Sequence, residues 1–275
     1  MEGTPRHKTV LLLRSSKADD KGPDEYHEYI TKDCDVKCIS IPALQFNFCN
    51  TDQLISALET FETYASFIFT SQRAVEALAN AVSSSCIDIE SMKIALQRTK
   101  LFVVGKSTGR AVEELGNSIG TKFETEGEDS GSAENLAKYI IEQKLYNRNT
   151  KPLLFFCGQL ARPEVVDALK NSGINTKSLC VYETLPYVYF KEEFKEFLIA
   201  NGDPNLIAFF SPSGADFTLP TITEIARHLN DIKIVAIGQT TASWLQQRGY
   251  KVQGVAKKPT AKSLSECIHI VLNEM

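Results

Sequence analysis

The stretch SFIFTSQRAVEAL at 66–78 decides the fold, because a short run of β-formers closes on two hydroxyl residues, Thr70 and Ser71, and opens directly into a helix-forming tract. The same succession returns at 206–219 as LIAFFSPSGADFTL, with Ser211 and Ser213 in the corresponding turn. A second landmark follows each copy, an apolar strand running into glycine and a hydroxyl-rich helix start. It reads LFVVGKSTGRAVEELG at 101–116 and IKIVAIGQTTASWLQQRG at 232–249. Phe69 and Phe209 are 140 positions apart (209 − 69), and Gly105 and Gly238 are 133 apart (238 − 105). Two landmarks repeated in order at nearly constant offset mark a duplication. Two weaker echoes pair TEGEDSGSAENLAKYI (125–140) with AKKPTAKSLSECI (256–268), and KTVLLLRSS after Lys8 with KPLLFFCGQ after Lys151.

Each copy alternates strand runs of four to six residues with longer helical tracts, the pattern of a parallel sheet covered by helices on both faces. Strands are predicted at about 9–14, 66–70, 101–104, 152–156, 206–210, 233–237 and 251–255. Helix starts are predicted at cap-type residues Thr51, Ser71, Ser107, Ser132, Ser213 and Thr240. VKCISIPALQF (36–46) and TKSLCVYETLPYV (176–188) contain proline and have no helix coupled to them, so they read as connectors. The expected fold is α/β, with two similar parallel-sheet lobes joined by a two-stranded β connector and an active-site cleft between them. Residues 1–36 with 189–275 form a discontinuous lobe 1, residues 47–175 form lobe 2, and 37–46 and 176–188 form the connector. The polar tract EGEDSGS (126–132) reads as a mobile loop at the cleft edge.

The 275 residues are 43% hydrophobic, enough for two ordinary cores. A net charge of −4 and the lack of a basic stripe argue against nucleic acid and an anionic membrane as partners. The apolar run Val10 to Leu13 is too brief for a signal-peptide core or a membrane span. Seven cysteines without a CxxC fit reduced thiols, and the cytosol is the expected compartment. Cys34 and Cys38 lack companions for a tetrahedral metal site.

Backbone N–H groups in a first helical turn are unpaired and partly positive, so helix starts at strand ends can hold carboxylates or phosphates. Each such contact is worth roughly 0.3–1 kcal/mol when exposed. Many together would bind a polyanion without a basic protein. Taken singly, each Ser or Thr is as well explained as a helix cap. GxSxG, GxxxxGK[ST] and HExxH are absent, and the histidines His7, His27, His228 and His269 are dispersed. Lys106 reads as a solvated lysine or an anion contact. Tyr182, in the unrepeated connector, can donate a proton or hydrogen bond, or can be ordinary strand packing.

With these residues in place, the chain resembles the uroporphyrinogen-III synthase family. The stretches that carry the resemblance are IFTSQRAVEA (68–77), FVVGKSTG (102–109), TEGEDSGSAENLAKYI (125–140), LLFFCGQLAR (153–162), VYET (181–184), FFSPSGADF (209–217), AIGQTTA (236–242) and KKPTAKSL (257–264). The resemblance implies a catalytic role for Tyr182. It implies substrate contacts at Thr70, Ser71, Thr108, Gly158, Ser211, Ser213, Gly214, Lys233, Thr240 and Thr241. Gln239 stands where many relatives carry proline. The resemblance further implies closure of hydroxymethylbilane to uroporphyrinogen III with ring D inverted. Loss of the terminal hydroxyl gives an azafulvene, ring D attacks through its substituted carbon, and a spirocyclic pyrrolenine fragments and recloses. No cofactor or metal is expected, and the enzyme is expected to act as a monomer. The rival from another class is a non-catalytic two-lobed module that binds a small polycarboxylate. A duplicated receiver domain would need an acidic cluster at the strand ends, where Ser, Thr, Gly and Cys stand instead.

Overall fold

The computed structural model describes residues 8–15, 24–84, 88–144, 146, 150–161 and 163–273. Along the chain the strands and helices are β1 (Thr9–Leu13), α1 (Glu25–Cys34), β2 (Lys37–Ile41), β3 (Leu44–Phe48), α2 (Thr51–Glu59), β4 (Ser66–Phe69), α3 (Gln72–Ser83), α4 (Ile89–Arg98), β5 (Lys100–Val103), α5 (Gly105–Ser118), β6 (Thr125–Glu126) and α6 (Ala133–Glu142). The remainder are β7 (Leu153–Gly158), α7 (Glu164–Asn171), β8 (Thr176–Pro186), α8 (Phe190–Asn201), β9 (Leu206–Phe209), α9 (Pro212–Ile225), β10 (Lys233–Ala236), α10 (Gln239–Gln247), β11 (Gly254–Val255) and α11 (Ala261–Asn273). They fall into two compact units, Met1–Gln45 with Leu185–Met275, and Phe46–Thr184.

The sheet of the first unit runs β11-β10-β9-β1-β2, and that of the second β6-β5-β4-β7-β8 with β3 added beside β8. The strand pairs from β11 to β2 and from β6 to β8 are parallel. When the repeated landmarks are superposed, β9 matches β4, β10 matches β5, β11 matches β6 and β1 matches β7. The two sheets then have one strand order. In the first unit that order is 2-1-3-4-5 by chain position, the flavodoxin-like doubly wound arrangement.

The central strands β1, β4, β7 and β9 are buried along their whole length, as a sheet covered on both faces requires. Successive side chains alternate between faces. Phe67, Phe69, Leu154 and Phe156 join the core under α2 to α5, while Ile68, Leu153 and Phe155 join the one under α6 and α7. In the first unit, Leu11, Leu13, Ile207 and Phe209 pack towards α8, α9 and α10, and Val10, Leu12 and Leu206 towards α1 and α11.

Several expectations are corrected. Segment 37–46 is divided, because Lys37–Ile41 pairs in register with β1 as the edge strand of the first unit. Pro42 follows directly and has no N–H to continue a ladder. In the other expected connector, Thr176–Cys180 pairs in register with β7, so the start of β8 belongs to the sheet of the second unit. The run 251–255 pairs with β10 only at Gly254 and Val255. Glu126 of the expected loop lies in β6.

Helix starts shift as well. The caps are Asn50, Val104, Ser211 and Gly238, in place of the predicted starts at Thr51, Ser107, Ser213 and Thr240; Ser71 and Ser132 stand as predicted. For α9 the reason is Pro212, whose fixed φ begins the helix at once and leaves Ser211 as the cap. The Ser211 Oγ accepts from Gly214 N at 2.9 Å. Ser211→Ala is therefore expected to cost about 1 kcal/mol in a urea melt, and Ser213→Ala, inside the first turn, only a few tenths.

Candidate functional site

In a doubly wound sheet the crevice opens where helices leaving two adjacent strands pass to opposite faces. In the second unit those strands are β4 and β7, which pair from Ser66↔Leu153 to Phe69↔Phe156. Helix α3 covers one face and α7 the other. A cavity of about 510 Å³ lies at this point. It gathers Thr70 and Ser71 from the end of β4, Gly158 from the end of β7, Tyr182 and Thr184 from β8, and the starts of α6 and α7 at Ser132 and Glu164. Thr70, Ser71, Gly158 and Tyr182, all singled out in the sequence, therefore meet in one pocket.

Gly158 and Tyr182 are neighbours in the β7–β8 ladder, across an irregularity between Cys157 and Gly158. A Cβ placed on Gly158 would stand 2.4 Å from Cζ, 2.6 Å from Cε2 and 2.8 Å from the hydroxyl oxygen of Tyr182. The phenol thus lies flat against a residue that has no side chain. Its other neighbour is Phe46, edge-on with centroids 6.1 Å apart, and the Arg73 guanidinium sits 4.3 Å above the Phe46 ring. Arg73 also pairs with Glu76 at 2.6 Å. Beneath the pocket, burial and then the neighbouring Cys180 push the Cys157 thiol up to about 11, so it is a packed thiol at neutral pH.

The helix starts divide by type. Ser71 and Ser132 spend their hydroxyls as caps, accepting from Arg73 N at 3.1 Å and Asn135 N at 3.2 Å. Helices α5 and α7 have no side-chain cap bond, and α10 in the first unit has none either. First-turn N–H groups without a side-chain cap are the better anion donors. Gly105 opens α5 at φ +76, a conformation that favours glycine, whereas Gly238 is extended at φ −174. The repeated glycines therefore differ in what their backbone demands.

Other expected contacts fall elsewhere. Thr108 is 2% exposed and Thr241 3%, each buried within the early turns of its helix. Ser211, Ser213 and Gly214 cluster at the end of β9, and Thr240 is exposed at the start of α10. Lys233 is the first residue of β10 and pairs with Leu206, the first of β9. It stands on the amino-terminal edge of its sheet, roughly 13–17 Å of strand from Gly238. A crevice at the carboxyl ends is beyond its reach. Lys106 is 78% exposed and 4.0 Å from Asp129, a solvated pair.

Sequence reasoning passed over Glu164 and Thr184 in the pocket, and Arg14 at the end of β1. Arg14 pairs with Asp24 at 2.6 Å and lies against the rings of Tyr26 at 4.6 Å and Phe210 at 5.6 Å. Its signal was available, since β1 and β7 are repeat partners and the residues at their carboxyl ends occupy equivalent places in the two sheets.

Fold and pocket together define a class, a duplicated flavodoxin-like α/β protein with a ligand crevice of helix starts and hydroxyls at strand ends. A family model described as uroporphyrinogen-III synthase HemD matches residues 24–266, and the chain belongs to that family. The uroporphyrinogen-III synthase of Schizosaccharomyces pombe is 29% identical over 95% of this chain and 96% of its own. That of Saccharomyces cerevisiae is 26% identical, with 95% of each chain covered. Among solved structures, the synthetase of Helicobacter pylori matches with a TM-score of 0.59 at 18% identity, over 98% of this chain and 100% of its own. A mutant synthase of Thermus thermophilus gives 0.55 at 16%, with the same coverage, and these two structures speak to the fold.

Proposed function

We infer that this chain is a uroporphyrinogen-III synthase, a lyase of tetrapyrrole biosynthesis that cyclises hydroxymethylbilane to uroporphyrinogen III with inversion of ring D. The observation that carries the reading is the family match across 24–266. The pocket at the β4/β7 crevice supports it with donors suited to carboxylates and a phenol suited to a leaving hydroxyl.

In this reading the substrate's acetate and propionate arms meet the helix starts of the second unit. Tyr182, directly or through water, helps the terminal hydroxyl leave, and the resulting azafulvene is attacked by the substituted carbon of ring D to give the spirocyclic pyrrolenine. Holding the arms so that ring D folds inward is a proximity effect, worth up to about 7–11 kcal/mol in favourable systems. General-acid help adds a factor of about 10²–10⁴. Positioning therefore outweighs any single side chain.

The protein is proposed to act in the cytosol, as a monomer and without a cofactor. No helix among the described residues is long and apolar enough to cross a membrane. The rival, a non-catalytic polycarboxylate binder, gains nothing from relatives that are named as synthases.

Incubation with hydroxymethylbilane, oxidation of the products and separation of the isomers tests the reading. Type III porphyrin is expected well above the blank; type I alone, at the blank rate, would overturn it. Tyr182→Phe is expected to lower kcat by about 10²–10⁴-fold and still give type III.

A further inference from the structure

Cys49, the residue after β3, and Cys180 on β8 hold their Sγ atoms 3.9 Å apart. Their backbones are tied side by side. Cys49 N–H donates to Val181 O at 3.1 Å, and Asn50 Nδ2 donates to Cys180 O at 2.9 Å. Both residues are partly exposed. A disulfide needs its sulfurs at about 2.05 Å, and two unbranched side chains can close the remaining distance by turning about χ1.

We propose that Cys49 and Cys180 are a thiol-redox site, joined by a reversible disulfide that staples β3 to β8 two residues from Tyr182. The oxidant is a small disulfide of the glutathione type. The Cys49 thiolate attacks one of its sulfurs, expels one thiolate and leaves a mixed disulfide on Cys49. Cys180 then loses its proton and attacks the Cys49 sulfur, expelling the second thiolate. Two protein thiols lose two electrons, and the small disulfide becomes two thiols.

A third thiol competes. Cys157 faces Cys180 in register on β7, but it is 8% exposed and directs its Sγ to Leu179 O at 3.5 Å. Cys49 is the more accessible entry point. Burial first, and then the bond to Cys180, push its thiol up to about 11. Only a small fraction is thiolate at neutral pH, so the pair stays reduced until oxidising conditions persist. The rate should rise about tenfold per pH unit from 7 to 9.

The test uses the full chain with glutathione disulfide, alkylation of remaining thiols and peptide mapping without reductant. Expected is a linked pair of peptides carrying Cys49 and Cys180, reversed by dithiothreitol, with a thermal midpoint raised by roughly 5 °C over the reduced protein. Cys49→Ser should abolish the link, and its circular dichroism shows whether that variant is folded. A Cys157–Cys180 link instead, or only glutathione adducts on Cys49, overturns the proposal. Neither readout uses turnover, so its failure is separable from failure of the synthase reading.

Discussion

Gly158→Ala is expected to lower kcat about 10²-fold while leaving the unfolding midpoint nearly unchanged. The new methyl would occupy space 2.4 Å from Cζ of Tyr182, a separation that two carbons cannot share, so the phenol must swing off the end of β7. A misplacement of 1 Å can cost about 10²-fold in rate. Gly158 and Tyr182 both line the cavity, so displacing the ring changes where its hydroxyl stands in the pocket. The double-mutant cycle identifies the cause. If Gly158 acts by seating the hydroxyl of Tyr182, Gly158→Ala should cost little more once Tyr182→Phe has removed that hydroxyl. Additive losses would show that Gly158 meets the substrate through its own backbone. Full activity in Gly158→Ala would remove Tyr182 from the chemistry.

The pairing of Gly158 with Tyr182 marks the boundary of what the sequence made legible. The strand ends were readable because duplication puts Ser71 with Ser211 and Gly105 with Gly238, and two copies of one grammar are hard to mistake. Fold class and the crevice edge of each sheet follow from that. Neighbours across a ladder were not readable, since no local pattern says that position 158 lies beside 182 when an irregularity shifts the register at Cys157. Lys233, which the family resemblance put forward, begins β10 while Gly238 follows its end, so the length of a strand separates the two. Thr108 and Thr241, also put forward by the resemblance, are buried, because helical phase rather than residue type decides which hydroxyls of an early turn are exposed.

Phe156→Ala is expected to destabilise the second unit by about 3–5 kcal/mol, the range for truncating a buried aromatic. Phe156 is fully buried on β7, stacked on Phe69 at 5.0 Å and 14°, and meets Phe67 edge-to-face at 5.2 Å. Three rings from two adjacent strands thus fill one layer beneath the crevice, and alanine leaves a cavity that rigid strands cannot collapse into. Set against a total of roughly 5–15 kcal/mol for an ordinary domain, the loss is a large share, and the unfolding midpoint should fall by roughly 10 °C. A urea melt followed by circular dichroism measures it. Leu160→Ala, at a pocket-lining residue 58% exposed, is the control and should move the midpoint hardly at all. Phe69 directly precedes Thr70, and Phe156 stands two residues before Gly158, so the same layer sets the spacing of both pocket residues. Phe156→Ala should therefore lose turnover below its melting range, a loss that a purely global effect on stability would not produce. An unchanged kcat at low temperature would show that the crevice is held from the helix side, through α3 and α7, and not from the sheet.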